Sequence, residues 1–240
     1  MQMLKKIPKH LFLVREIIRY NMKIIFGNLF VYFLLASFAF YLLIAVLIFF
    51  NSDSVPTAET VYYLLMFPGL LLIFYPTTFG IQHDSDTRML EILFGIPDYR
   101  YKVWLVRMGI IYLLVFVILI VQALLSYFAL TPFPVLDMVF QLMFPIFFVG
   151  CFAFMLSTWV RNGFGAMVIL AAVGMAFWIM SGIITESQWN LFLNPFHVPT
   201  ELTEIMWADI KVKNRLYILS ATILLLLAGL LNLQKREKFI

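Results

Sequence analysis

A short polar segment between two long apolar runs holds the residues most able to do chemistry. Residues 84–100 read DSDTRMLEILFGIPDYR. The side-chain oxygens of residues 84–86 can cap the first free N–H groups of a helix, and Gly95 suits the left-handed position after its last turn. Pro97 prevents the helix from continuing. The spacing therefore predicts a short helix over residues 84–94.

The predicted helix has more apolar side chains than so short a helix can bury by itself. Its charged side chains require water, whereas its apolar side chains require a partner surface. The charged set is Asp84, Asp86, Arg88 and Glu91, and the apolar set is Met89, Leu90, Ile92, Leu93 and Phe94. Two interpretations remain open: the helix packs against its own membrane helices, or it docks into a groove on a separate cytoplasmic protein.

Side chains for catalysis or metal binding are scarce. Cys151 is the only cysteine, so the chain has neither an intrachain disulfide nor a multi-cysteine metal site. His10, His83 and His197 are far apart and lack the H-E-x-x-H spacing of a metal site. None of the eleven glycines begins a G-x-x-x-x-G-K-[ST] phosphate-binding loop. We therefore predict no catalytic residue, no metal and no cofactor in this chain, and we expect any ATP hydrolysis in a partner.

The composition around this segment is that of a membrane protein. Hydrophobic residues make up 63% of the 240 residues and charged residues 12%, against about 25% charged in soluble domains. A membrane crossing needs about 20 apolar residues. Six uncharged runs approach that length, at 29–50, 61–81, 108–130, 138–158, 163–184 and 216–233. We predict an all-α membrane protein with six transmembrane helices in a single domain over residues 1–240.

Two of the six runs have an alternative interpretation. Pro68 and Pro76 interrupt the second run, and the sixth run is the shortest. Either run would suit a re-entrant segment, but proline is tolerated in membrane helices whose neighbours bond the freed carbonyl groups. We therefore predict that both runs span.

The basic residues indicate the orientation. Most of the 17 Lys and Arg lie before the first run, between the second and third, after the fourth, or behind the sixth. Because cytoplasmic flanks carry the excess of Lys and Arg, both termini are predicted to be cytoplasmic. We also expect the membrane to be a plasma membrane of bacterial type. Lys211, Lys213 and Arg215 are exceptions on the predicted outside. The net charge of +4 thus comes from span flanks and does not indicate a nucleic-acid partner.

Residues 1–28 have the amphipathic periodicity of a helix. Apolar residues recur on one face, and the cations are Lys9, Arg15, Arg19 and Lys23. Such a helix lies in the membrane interface with its cations toward anionic lipid headgroups. We predict an N-terminal interfacial elbow helix that contacts membrane lipid; the alternative is a cytoplasmic extension of the first membrane helix.

The connection over residues 185–215 keeps apolar anchors such as Trp189 and Trp207. A loop of this length without structure of its own is uncommon. We therefore predict short extracellular helices at the outer interface, broken at Pro195 and Pro199. The alternative is an aromatic belt that only anchors the helix ends.

Few polar groups inside the spans are available to line a transport pathway. The candidates are Tyr63, Tyr75, Thr77, Thr78 and Ser181. No span carries a charged residue near its centre, which disfavours coupling to protons or sodium and favours a lipid-like, hydrophobic or peptide cargo. The alternative is that these hydroxyl groups bond only to the backbone or between helices.

The segment at residues 84–100 resembles a motif of the type-2 ABC exporter permease family, which lies between the second and third membrane helices of those proteins. Asp84 and Asp86 match its acidic pair, Leu90-Glu91 its Leu-Glu, Leu93-Phe94 its leucine pair, and Pro97 with Arg100 its last step. Arg88-Met89 stand where the family has Gly-Thr. The elbow helix, six spans, cytoplasmic termini and long connection before the last span are also similar to that family.

The resemblance implies an ATP-driven exporter in which this chain is the transmembrane permease subunit. It implies a second permease subunit, identical or related, and two copies of an ABC ATPase subunit that bind ATP and Mg. Residues 84–94 would be the coupling helix, with ATPase-coupling residues Asp84, Asp86, Arg88, Met89, Leu90, Glu91, Leu93 and Phe94. The competing hypothesis is a non-transporting membrane scaffold or assembly factor that recruits another cytoplasmic partner.

Overall fold

Six long helices form a bundle in the described part of the chain. The computed structural model describes residues 30–50, 56–86, 100–197, 199 and 202–233, and no strand occurs among them. A π-helical turn, Arg100–Leu105, leads directly into the third helix. The helices are α1 (Phe30–Phe50), α2 (Ala58–Asp86), α3 (Val106–Ala129), α4 (Val135–Val160), α5 (Gly163–Ile183) and α6 (Glu204–Asn232).

Each of these six helices is long and apolar enough to cross a membrane. Their positions confirm the six runs predicted from the sequence, and the chain is an all-α, multi-pass membrane protein. The second run does not turn back, because α2 continues through Pro68 and Pro76 as one helix of 29 residues. Ser37 of α1 donates a hydrogen bond to the Pro68 carbonyl at 3.4 Å, which links α1 to α2 at this proline.

The bundle has two ends, each named here for a buried charged residue. The Asp84 end contains the C-terminal end of α2, the start of α3 and the turn between α4 and α5. The Arg215 end contains the start of α2, the connection between α3 and α4, and residues 184–197.

The connection after α5 differs from the prediction of short helices. Its described residues 184–197 form turns, and α6 begins at Glu204, where the Thr203 hydroxyl accepts a hydrogen bond from the Met206 N–H at 3.4 Å. The sixth apolar run starts at residue 216 because Lys211, Lys213 and Arg215 interrupt it, but these residues do not interrupt the helix. The charged stretch is therefore the first part of the last membrane helix.

Helix α4 lies at the centre of the bundle and packs against α2, α3, α5 and α6. Glycines bring the neighbouring helices close, as is common between membrane helices. A Cβ atom added at Gly150 of α4 would lie 2.6 Å from Ile73 of α2 and 2.6 Å from the Tyr112 hydroxyl of α3. One added at Gly229 of α6 would lie 2.8 Å from the Phe154 ring.

Helices α1 and α5 are peripheral. Only four residues of α1 and three of α5 are buried within the chain. Two of the buried α1 residues, Ser37 and Tyr41, make hydrogen bonds to α3. Gln122 donates to the Ser37 hydroxyl at 3.2 Å, and the hydroxyls of Tyr41 and Ser126 lie 3.0 Å apart. The broad apolar faces of α1 and α5 thus remain for lipid or for another protein.

The close approach at Gly150 predicts that alanine substitution affects stability differently at Gly150 and at Gly182. Gly150→Ala should destabilise the protein by about 1–3 kcal/mol, because the added methyl group overpacks the contact with Ile73 and Tyr112. Gly182→Ala should be neutral or slightly stabilising, because nothing lies within 4 Å of its new Cβ and alanine favours a helix. Thermal unfolding of the two variants in detergent tests this, and equal melting temperatures would contradict the central position of α4.

Candidate functional site

A buried ion pair joins α2 to α3 at the Asp84 end. The Arg107 guanidinium donates from Nη1 to Oδ2 of Asp84 at 2.7 Å. The two side chains are only 6% and 3% exposed. Arg107 also lies over the Trp104 ring, 4.6 Å from its centroid, which adds a cation–π contact. A charge-assisted hydrogen bond between buried groups is strong, and loss of one partner is costly in stability because the other charge is left buried and unpaired.

This ion pair corrects part of the predicted coupling helix. Asp84 was one of three residues, with Ser85 and Asp86, expected to cap a new helix in water. It lies instead within α2, which ends at Asp86, and its carboxylate is buried. Asp86 is exposed, as expected. The other predicted coupling residues, Arg88, Met89, Leu90, Glu91, Leu93 and Phe94, lie outside the described residues.

Further contacts fasten the same end of the bundle. The buried Trp104 ring packs against Phe154 of α4, with ring centroids 5.8 Å apart. The Gln82 side chain of α2 accepts a hydrogen bond from the Gly163 N–H, at the start of α5, at 2.6 Å. Asn232 of α6 donates to the Thr158 carbonyl of α4 at 2.7 Å. Side-chain contacts therefore link α2 to α3 and α5, and α4 to the turn before α3 and to α6.

The turn between α4 and α5 is short and tightly capped. Arg161 ends α4 in the left-handed conformation, with φ 58°. The Asn162 side chain then accepts hydrogen bonds from the N–H groups of Phe164 and Gly165, at 2.9 and 3.2 Å, and so caps α5. The start of α5 is thus fixed both by its own cap and by Gln82.

An apolar cleft of about 550 Å³ lies between α2, α4 and α5. We call it the aromatic cleft, because aromatic rings line much of its wall. Its lining includes Tyr63, Phe67 and Phe74 of α2, Phe148 and Phe152 of α4, and Gly174, Phe177 and Trp178 of α5. Phe40 and Phe33 of α1 contact the rings of Phe67 and Phe74, so α1 flanks the cleft. Its size is typical of a site for a small ligand.

The aromatic cleft contains only one of the five predicted pathway residues. Tyr63 lines it, whereas Tyr75 stacks between Phe33 and Phe79. Thr77 and Thr78 are buried, and the Thr77 hydroxyl donates to the Ile73 carbonyl at 2.7 Å. The Ser181 hydroxyl likewise donates to the Trp178 carbonyl at 2.7 Å. The Thr77 and Ser181 hydroxyls thus have backbone partners, as the alternative interpretation expects.

A second polar cluster lies at the Arg215 end. Arg215 of α6 is 8% exposed and donates to the Gln141 side chain, the Leu193 carbonyl and the Asn214 side chain, at 2.9, 3.3 and 3.0 Å. Asn214 in turn donates to the carbonyls of Gln188 and Asn190. The two adjacent residues of α6 thus hold the turns of residues 184–197 against the bundle.

The start of α2 also holds this connection. Tyr62 donates to the Leu193 carbonyl at 3.2 Å, and Asn194 donates to the Glu59 carbonyl at 3.1 Å. His197 Nδ1 lies 3.1 Å from a Glu59 carboxylate oxygen. Among the described residues, no three His, Cys, Asp or Glu side chains form a group suited to a metal ion.

Two buried cations were not recognised as buried from the sequence alone. Arg107 and Arg215 were interpreted only as charges that flank spans, although both are buried. The sequence does carry a sign of their burial, since Arg107 and Arg215 each stand directly beside an apolar run. The predicted interfacial cations Lys9, Arg15, Arg19 and Lys23 lie outside the described residues.

Comparisons of the chain with protein-family models, with curated proteins and with solved structures found no match.

The buried ion pair predicts an asymmetry between two aspartates on one helix. Asp84→Asn should destabilise the protein by about 3–5 kcal/mol, because it leaves the buried Arg107 charge uncompensated. Asp86→Asn should change stability by less than about 0.5 kcal/mol, because Asp86 is exposed. Denaturant titration of both variants in detergent measures the difference.

A double variant separates the ion pair from simple packing loss. Arg107→Leu leaves a buried carboxylate unpaired, whereas Arg107→Leu with Asp84→Leu removes both charges, so the double variant should be the more stable of the two. If the double variant is instead as unstable as the sum of the two single variants, the two side chains are not energetically coupled.

Proposed function

We propose that this chain is the membrane-spanning permease subunit of an ATP-driven exporter of the type-2 ABC class. The subunit forms a cargo pathway as a dimer, with an identical or related second subunit. Two copies of a separate ATPase subunit, which binds ATP and Mg, drive the complex. The sequence of residues 84–100 and the order of six spans support this assignment through their resemblance to that family.

One observation carries the proposal furthest: the Asp84–Arg107 ion pair braces the two helices that flank residues 87–99. Those residues hold most of the motif that resembles a coupling element. A partner that pulls on this segment pulls on both α2 and α3, because the ion pair ties these two helices together at that end. The two helices then move together as a rigid body, so that movement of the segment displaces the bundle and not one helix end alone.

The aromatic cleft supplies a candidate pathway for an apolar cargo. It lies between α2, which the coupling segment follows, and the peripheral helix α5. Its lining is almost wholly apolar, which suits a lipid-like or hydrophobic molecule or an apolar peptide. Displacement of α2 relative to α5 changes the width of the cleft, and this is how ATP-driven closure of the partner subunits would move cargo.

The orientation in this proposal follows the basic residues of the sequence. The Asp84 end faces the cytoplasm, with both termini on that side, in a plasma membrane of bacterial type. The Arg215 end then faces outward. Residues 1–28 lie along the cytoplasmic interface, where Lys9, Arg15, Arg19 and Lys23 contact anionic lipid.

Removal of the apolar side chains in the coupling segment tests the proposed partner. Leu93→Ala with Phe94→Ala should abolish copurification of an ATPase subunit from native membranes, because each lost apolar contact costs about 2–5 kcal/mol of binding. Wild-type complex should hydrolyse ATP in a vanadate-sensitive manner. A wild-type complex that contains no nucleotide-binding chain would favour the membrane scaffold, and unchanged copurification of the variant would refute the role of this segment.

Blocking the aromatic cleft tests the pathway separately. A Cβ added at Gly174 meets nothing within 4 Å, so Gly174→Phe should place a ring in the cleft without unfolding the helix. The ATPase subunit should still copurify, while cells should accumulate the same apolar compound as cells that lack the protein. Gly182→Phe is the matched control, because Gly182 also has open space around it but does not line the cleft. A normal lipid-extract profile in the Gly174 variant would exclude the cleft as the pathway.

A further inference from the structure

A groove follows the side of α4 between α3 and α6 and is separate from the aromatic cleft. It consists of two adjoining cavities of about 560 and 650 Å³. Phe140, Phe144 and Leu219 line both cavities, so the two form one continuous surface. The first cavity extends along α3 to Gly109, and the second reaches the Arg215 end. The groove therefore runs along the bundle from the level of Gly109 to the Arg215 end.

The polarity of this groove changes along its length. The cavity beside Gly109 is lined almost entirely by apolar atoms. The cavity at the Arg215 end adds Lys211 and Arg215, together with Asp137 and Gln141. Two cations and one carboxylate leave that part of the groove with a net charge of +1 at neutral pH. An occupant that is anionic at one end and apolar along the rest matches both parts.

Arg215 is the strongest sign that an anion belongs in this groove. Its guanidinium is buried, yet the bonded groups around it are all neutral: two side-chain amide oxygens and the Leu193 carbonyl. The Phe144 ring lies 5.3 Å from the guanidinium carbon and adds a cation–π contact. Within the described residues, no carboxylate forms an ion pair with Arg215. A buried cation without a counter-charge is costly, and an anionic ligand would offset that cost.

The position of Arg215 along α6 corresponds to the headgroup level of a membrane. The uncharged run of residues 216–233 begins directly after it, and Lys211 lies one helical turn earlier. Below this level, Leu216 and Phe140 are 57% and 56% exposed and continue the groove toward the apolar part of the bundle. Cations at the interface above an apolar groove are the arrangement that recognises an anionic lipid.

We propose that this groove binds one anionic glycerophospholipid from the leaflet at the Arg215 end. The phosphate group lies against Lys211 and Arg215, and one acyl chain follows Phe140, Phe144 and Leu219 toward Gly109. A phosphodiester carries one negative charge, which the net charge of this part of the groove neutralises. The lipid completes the charge balance of the connection that Arg215 holds, and this role is independent of any transported cargo.

Lipid titration of the full-length chain tests the proposal. Delipidated protein in detergent is titrated with phosphatidylglycerol or phosphatidylcholine of the same acyl chains, and bound lipid is counted by native mass spectrometry. Phosphatidylglycerol should bind at least tenfold more tightly, and soluble glycerophosphate at the same concentrations should not bind. Equal affinity for the two lipids would overturn the proposal. Tight binding of glycerophosphate would also overturn it, in favour of a site for a free anion.

Two lysines on the same helix provide a matched test of the headgroup position. Lys211→Gln should weaken phosphatidylglycerol binding about fivefold, because one cation beside the phosphate is lost. Lys213→Gln removes the same charge but should change binding less than twofold, since Lys213 pairs with Asp209 at 2.6 Å and does not line the groove. Equal effects of the two variants would show a general charge effect and refute the site. Lys211 is preferred to Arg215 for this test because Arg215 also holds the connection.

Two glycines provide the corresponding test of the acyl chain. A Cβ at Gly109 meets nothing within 4 Å, so Gly109→Leu should fill the groove without a clash and weaken phosphatidylglycerol binding severalfold. Gly182→Leu also adds a side chain in open space, but away from the groove, and should leave binding unchanged. Unaltered binding in the Gly109 variant would place the acyl chain elsewhere and overturn the proposed path.

Discussion

The contact between Asp84 and Arg107 constrains the structure more than any other single interaction described here. Two charges are withdrawn from water at the edge of an apolar bundle, and their mutual bond offsets much of the cost of that burial. The bond fixes the end of α2 beside the start of α3. The rest of the Asp84 end is assembled around this pair, through Trp104 against α4 and through Gln82 against α5. The result is a platform of connected helix ends.

Buried charge is compensated differently at the two ends of the bundle. At the Asp84 end a cation is neutralised by a carboxylate from the neighbouring helix. At the Arg215 end a buried cation is surrounded by amide and carbonyl oxygens and has a groove beside it. The first arrangement is suited to the transmission of force, and the second to the recognition of an anion. The two proposed roles thus differ in whether the buried charge is compensated by a carboxylate of this chain.

The sequence predicted the membrane helices well because hydrophobic length alone specifies a span. It predicted the helix ends less well, because charge in a sequence does not say whether a side chain is buried. Asp84 looked like a helix cap beside Ser85 and Asp86, but its partner Arg107 is 23 residues away, and only folding brings them together. Lys211 to Arg215 looked like a polar loop for the same reason. The aromatic cleft was beyond sequence reasoning, since its wall combines residues from three helices.

The short turn at Arg161 and Asn162 has a mechanical consequence for α5. This helix is clasped at its first residue, where Gly163 approaches Gln82 so closely that a Cβ atom would lie 2.7 Å from the side-chain oxygen. Its far end is bonded more loosely, through Asn190 to the Ser181 carbonyl at 3.4 Å. Most of the helix between these points faces outward. Helix α5 is thus held most tightly at its first residue, and a rotation of the helix about Gly163 would widen the aromatic cleft most at the Arg215 end.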